Sequence, residues 1–193
     1  MNDVQNHEPA DFLERVVTRL VTPIGCVLVL LILLFVPCVT ASTRSADPRL
    51  KRIFDESFTG WNIATDADLF SVAVRILTVT LFVALVVGAG TALVRNPRKR
   101  SLAAAVTTAV SGGLLVATGL WASHWRDAKR DEFMSILTST LPPVERAKFF
   151  DQIGSEVGVG LGFWLGLAGL GVIIAFNVYL VLRGRRRPAD AVR

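Results

Sequence analysis

Charge is scarce in this chain, and it is missing from the stretches where a soluble fold would need it. Of 193 residues, 19% are charged and 52% hydrophobic, with a mean hydropathy of +0.50. An ordinary soluble domain carries about 25% charged residues. That balance excludes both a soluble globular class and a disordered chain. Chemistry-bearing residues are also few. There are two His, His7 and His124, with no metal-ligand spacing and no His-Glu-x-x-His. No Asp or Glu lies within a long apolar run, which removes the intramembrane carboxylate on which small multidrug exporters depend. Paired broken helices that would bind a substrate at the midplane are lacking too. The Gly-x-Gly runs follow no strand, so no phosphate cradle is expected. Cofactor, metal and catalytic residues are therefore all expected to be absent, and the protein is not expected to be an enzyme.

The two cysteines, Cys26 and Cys38, form no Cys-x-x-Cys pair. Read as part of one helix, they would stand ~18 Å apart at 1.5 Å per residue, beyond disulfide reach. Both are expected to be small buried apolar residues. That argues against a four-span thiol oxidoreductase.

What is present is apolar length. A bilayer core needs ~20 mostly apolar residues in a helix. Four runs qualify, at about 20–39, 70–94, 102–121 and 157–182, and only the second contains a charge, Arg75. The expected fold is a single all-α membrane domain over 1–193: a four-helix transmembrane bundle with a small extracytoplasmic cap. The first run is read as an uncleaved helix despite Val39-Thr40-Ala41. It is too long for a signal core, and the residues before it are net acidic.

An even span count puts both termini on one side. The termini and the short 95–101 turn together carry eleven basic and five acidic residues. The outer loops, about 40–69 and 122–156, carry nine basic and eleven acidic residues. Arg95, Arg98, Lys99, Arg100 and Arg183 to Arg187 abut span ends, where the charge bias sets orientation. Both termini are expected in the cytoplasm. Seventeen Arg against four Lys suggests a high-GC bacterium and its inner (plasma) membrane.

Within the spans, Gly154, Gly158, Gly162 and Gly166 recur every four residues and read as a helix ridge that another backbone can approach. The third span offers Ala105, Ala109, Gly113 and Ala117, and the second Ala84, Gly88 and Ala92. These stripes are expected to pack the chain's own helices, part of the glycine ridge being the alternative site for a partner helix. Arg75 lies near the outer end of its span. It is expected to snorkel or to pair with Asp66, Asp68 or Glu156. Asn177 reads as a helix–helix hydrogen bond, and Trp121, Trp125 and Trp164 as interface anchors. In the first outer loop, residues 54–63 suggest a short hairpin, with Phe58 and Trp61 buried against the second loop and Asp66 and Asp68 capping the next span. The second loop reads as two amphipathic helices. One runs from Arg126 to Thr138 and presents Phe133, Met134, Ile136 and Leu137. The other starts at Pro142-Pro143 and presents Phe149, Phe150 and Ile153.

Four spans, a Thr59-Gly60-Trp61-Asn62 element, a helical second loop and an Arg-rich tail together resemble the small tetraspan proteins of actinobacterial envelopes. Several of these are accessory subunits of Mce lipid importers or of the respiratory supercomplex. The outline is also similar to claudin-like tetraspans, whose first outer loop forms a small sheet. The claudin Trp…Gly-Leu-Trp…Cys…Cys signature is absent. The resemblance implies a non-catalytic accessory subunit of a larger integral membrane complex, preferably a lipid-import machine, with membrane lipids as further partners and no nucleic acid. The alternatives are a small oligomeric transporter or channel, compatible with a homo-oligomer, and a respiratory supercomplex subunit. The residues expected to meet a partner or pack helices are Gly154, Gly158, Gly162, Gly166, Arg75, Trp61, Phe149 and Phe150.

Overall fold

The computed structural model describes residues 8–43, 55–139, 142–145, 148 and 155–186. Its order is α1 (Glu8–Phe35), β1 (Pro37–Thr43), β2 (Glu56–Thr59), α2 (Gly60–Thr65), α3 (Val72–Gly90) with a 3-10 turn at Thr91–Leu93, α4 (Pro97–Thr138), β3 (Ser155–Val159) and α5 (Leu161–Arg186). The chain is mostly helical. Four of its helices are long and apolar enough to cross a membrane: Val16–Phe35, Val72–Leu93, Pro97–Lys129 and Leu161–Arg183.

The sheet corrects the all-α expectation. Strand order is β2-β1-β3, all antiparallel, with Thr40 opposite Ser57 on one side and Gly158 on the other. The first span accordingly ends about four residues earlier, and the fourth begins about four residues later, than the hydropathy suggests. Pro37 has no N–H to continue α1 and pushes Val36 out of helical geometry. The Cys-Val-Thr-Ala-Ser-Thr stretch that follows is β-favouring. Val157 to Val159, read as the start of the last span, are strand instead. The expected hairpin is replaced by pairing between distant segments.

Conversely, α4 runs unbroken through the expected boundary between span and loop. No Pro or Gly interrupts residues 120–138, and 42 helical residues extend ~63 Å. Among the residues expected on its outer apolar face, Ile136 is exposed. The side chains of Phe133, Met134 and Leu137 lie outside the described set, as do Phe149, Phe150 and Ile153. Residues 143–145 are helical, as the Pro142-Pro143 start implies.

Burial along the four long helices follows alternating steps of three and four residues. The inward positions are Thr22, Cys26, Val29 and Leu33 on α1, and Val74, Thr78, Leu81, Leu85 and Gly88 on α3. On α4 they are Ala104, Thr108, Ser111, Leu115, Thr118 and Ala122. On α5 they are Phe163, Gly166, Leu170, Ile173 and Asn177. This is the spacing of knobs-into-holes packing. A strict four-residue stripe drifts ~40° per step and leaves that seam.

The chain divides into two compact units. The described residues within 1–31, 81–113 and 167–193 form one. There, Gly25 lies against Ile173, Gly169 against Val29 and Gly88 against Cys26, so small residues let α1, α3 and α5 approach closely. The described residues within 32–80 and 114–166 form the other, which holds the sheet. Its core contains Val39, Ala41, Phe58, Ile63, Phe70 and Phe163.

Candidate functional site

The sheet unit contains the densest constellation of polar and aromatic groups. Glu56 and Phe58 are two apart on β2 and therefore share a face. Arg126 of α4 meets both. Its Nε donates to Glu56 Oε2 at 2.9 Å, its Nη2 also donates to that oxygen, and its guanidinium carbon lies 5.1 Å from the centre of the Phe58 ring. Phe58 stands edge-on to Phe70 at 5.2 Å. The expected burial of Phe58 against the second loop's helix is thus present. Trp61 was expected to bury with it but is 58% exposed. The reason is the local cap. Thr59 Oγ1 accepts from the Asn62 amide and Asn62 Oδ1 accepts from the Thr59 amide, which closes a capping box for α2. That geometry turns Gly60, Ile63 and Ala64 inward and leaves Trp61 outside.

Asp66 caps a turn rather than a span. Its Oδ1 accepts from the amides of Asp68 and Leu69, while Ser71 Oγ accepts from Val74 at the start of α3. Arg75 Nε donates to the Ala64 carbonyl at 3.2 Å. No carboxylate among the described residues pairs with it, so of the two expected alternatives, snorkelling or an ion pair, the ion pair is not seen there. Arg75 lines a shallow groove of about 320 Å³ with Ala64, Val72, Ile76, Val79 and Thr80.

The glycine ridge does not exist as one helix face. Gly158 is in β3, Gly154 lies outside the described residues, and only Gly162 and Gly166 are on α5. Both are enclosed by their own chain. A Cβ on Gly162 would sit 2.5 Å from the Val36 carbonyl oxygen, and one on Gly166 would sit 2.9 Å from Leu33. Gly119 is as tightly held, against Phe163.

The Ala105–Ala117 stripe of α4 was expected to pack inside the chain, yet it faces mostly outward. Ala109, Gly113 and Ala117 are exposed, and nothing stands within 4 Å of a Cβ built on Gly112 or Gly113. Large exposed side chains on this helix stop at Val110 and resume at Leu120. The result is a dip of small residues ~15 Å long in an otherwise bulky apolar surface.

No family model, no curated protein and no solved structure matches this chain. The functional reading therefore rests on the surfaces themselves.

In the other unit, a small polar cavity is lined by Thr18, Arg19, Thr22, Thr91, Arg100, Ser101 and Asn177, among others. It holds about 10 Å³, about one water. Pro23 sits in the same turn and leaves the carbonyl of Arg19 without its helical donor. Asn177 Nδ2 donates to Thr22 Oγ1 at 2.9 Å and to the Ile173 carbonyl at 2.8 Å, as expected of a helix–helix hydrogen bond.

Among the described residues no group of three metal-ligating side chains converges. Cys26 and Cys38 are both buried free thiols. Cys38 is not on the helix of Cys26, as the sequence suggested, but in β1, where its thiol donates weakly to Leu33 and Val36 carbonyls. Burial pushes the Cys38 thiol up to about 11, opposed by the nearby Gly60 amide.

The constellation around Phe58 was only half legible in the sequence, since nothing in the residue pattern pairs Glu56 with Arg126 across 70 positions. The seam on α4 did carry a signal, a three-and-four alternation of Ala, Thr, Ser and Leu.

Proposed function

We propose that this chain is a multi-pass protein of a bacterial plasma membrane, with both termini cytoplasmic, that acts as a non-catalytic accessory subunit. It packs against a larger integral membrane complex and stabilises or regulates it. A lipid-import machine of the Mce kind is the preferred host. The observation that carries this reading is the outward dip on α4 at Gly112, Gly113 and Ala117. Small residues on an exposed face allow a second helix to approach closely, which is how helices associate where lipid removes the hydrophobic driving force. Trp61, exposed beside the sheet, adds an aromatic anchor of the kind that dominates interface energetics. The orientation rests on the net positive termini and short turn against the net negative loops.

The test is a mild-detergent pull-down of the tagged protein at native expression, with mass spectrometry of what co-elutes. One larger complex in fixed stoichiometry, weakened by Gly113→Leu or Trp61→Ala, is the expected result. Gly162→Leu is unsuited to this purpose, because Gly162 is enclosed within the chain. Recovery of the protein alone sinks the accessory reading, and recovery only as its own oligomer favours a small oligomeric transporter or channel.

A further inference from the structure

We propose that the groove beside Arg75 holds one anionic phospholipid, its phosphate on the Arg75 guanidinium and an acyl chain along Val72, Ile76 and Val79. The groove combines two features that serve the two ends of such a molecule. Val72, Ile76 and Val79 follow one another at four and three residues on α3, so they form a single apolar stripe, and all three are exposed. Arg75 interrupts this lipid-like surface with the single charge of its helix.

The guanidinium is held rather than free. Its Nε donates to the Ala64 carbonyl, and its two Nη groups make no hydrogen bond among the described residues. A planar fork anchored at one nitrogen and open at the other two is suited to a phosphodiester, which accepts two parallel bonds. No carboxylate among the described residues bonds to it.

Depth agrees with the same occupant. Arg75 lies three residues, ~4.5 Å, from the start of α3, and Thr80 lies ~12 Å from it. In a bilayer this sets the cation at headgroup level and runs the groove inward along the upper acyl chain. Thr80 adds no competing donor at the deep end, since its hydroxyl is committed to the Ile76 carbonyl at 2.7 Å. A zwitterionic lipid brings its own ammonium to the same place, where it opposes Arg75. A net anionic headgroup does not.

The experiment uses the full chain in nanodiscs of phosphatidylcholine doped with phosphatidylglycerol. A photoreactive phosphatidylglycerol of matched acyl chains is the probe, and mass spectrometry maps its adducts. Expected are one dominant adduct within residues 64–80 and about tenfold stronger labelling than by the matched phosphatidylcholine probe. An unspecific surface cation supplies only about fivefold. Arg75→Lys keeps the charge but loses the fork and the Ala64 bond, and is expected to lose most of the preference. Val79→Trp fills the exposed groove without touching the charge, and is expected to lower labelling by both probes. The proposal is overturned if Arg75→Lys labels as the parent does, if Val79→Trp changes nothing, or if adducts spread evenly over the lipid-facing helices.

Discussion

Thr22 and Asn177, 155 residues apart in the chain, are joined in a buried hydrogen bond between α1 and α5. Thr22 also presents its hydroxyl to Asn177 Oδ1 at 3.2 Å. Interhelical bonds of this type contribute on average about 0.6 kcal/mol, and at most about 1.7. A double-mutant cycle with Thr22→Val and Asn177→Leu, read by unfolding in mild detergent, is expected to give a coupling in that range. Strict additivity would mean the pair contributes nothing as a pair.

The glycines divide into those with room and those without. Gly162→Ala drives a methyl into the Val36 backbone oxygen, which cannot rotate away. A loss of about 1–3 kcal/mol is expected, the range of overpacking. Gly113→Ala meets open space on an exposed helix face and is expected to stabilise by about 0.5–1 kcal/mol through helix propensity. Thermal unfolding of the two variants side by side checks the contrast.

Arg126 ties β2 to α4 through Glu56 and Phe58. The arginine side chain is 15% exposed and the glutamate 36%, so solvent screens the pair only in part. Arg126→Met keeps the aliphatic packing but removes the charge, leaving Glu56 unpaired. A loss of about 1–2 kcal/mol is expected from the ion pair and the ring contact together. Arg126→Lys should recover only part of it, as measured by denaturation at low and high salt.

Thr118 is buried on the α4 seam, and its hydroxyl has no hydrogen-bond partner among the described residues. Its neighbours differ: Thr108 and Ser111 donate to carbonyls four residues back. An unsatisfied buried hydroxyl costs about 1–3 kcal/mol. Thr118→Val, nearly the same shape, is therefore expected to raise stability by about 1 kcal/mol, whereas Thr108→Val should not. Equal effects of the two substitutions would contradict the difference in pairing.

Cys38 titrates late. Its folded value of about 11 lies above the ordinary 9.0, because burial disfavours the thiolate. A folded value above the unfolded one contributes stability that is complete below pH 9 and is lost as pH rises through about 11. Unfolding measured from pH 8 to 11 is expected to show that decline, and Cys38→Ala is expected to flatten it. Maleimide labelling at neutral pH should reach Cys38 only after denaturation.

The class of object was legible in the residue pattern. Four apolar runs separated by charged turns leave little choice but long helices, because each run must satisfy its backbone internally and bury or expose its side chains in bulk. The charge asymmetry, the apolar character of both cysteines and the Asn177 contact were legible for the same local reason. Where helix gives way to strand, and which face of each helix turns inward, follows from long-range packing. Hydropathy does not distinguish a strand such as Pro37–Thr43 from the end of a span, since both are apolar, and a β-ladder depends on partners 15 to 120 residues away. Likewise, a repeat of small residues states that close approach is possible but not by what. On α5 the approach is made by the chain's own Val36 and Leu33. On α4 the equivalent stripe rotates off the packed seam and is left facing outward.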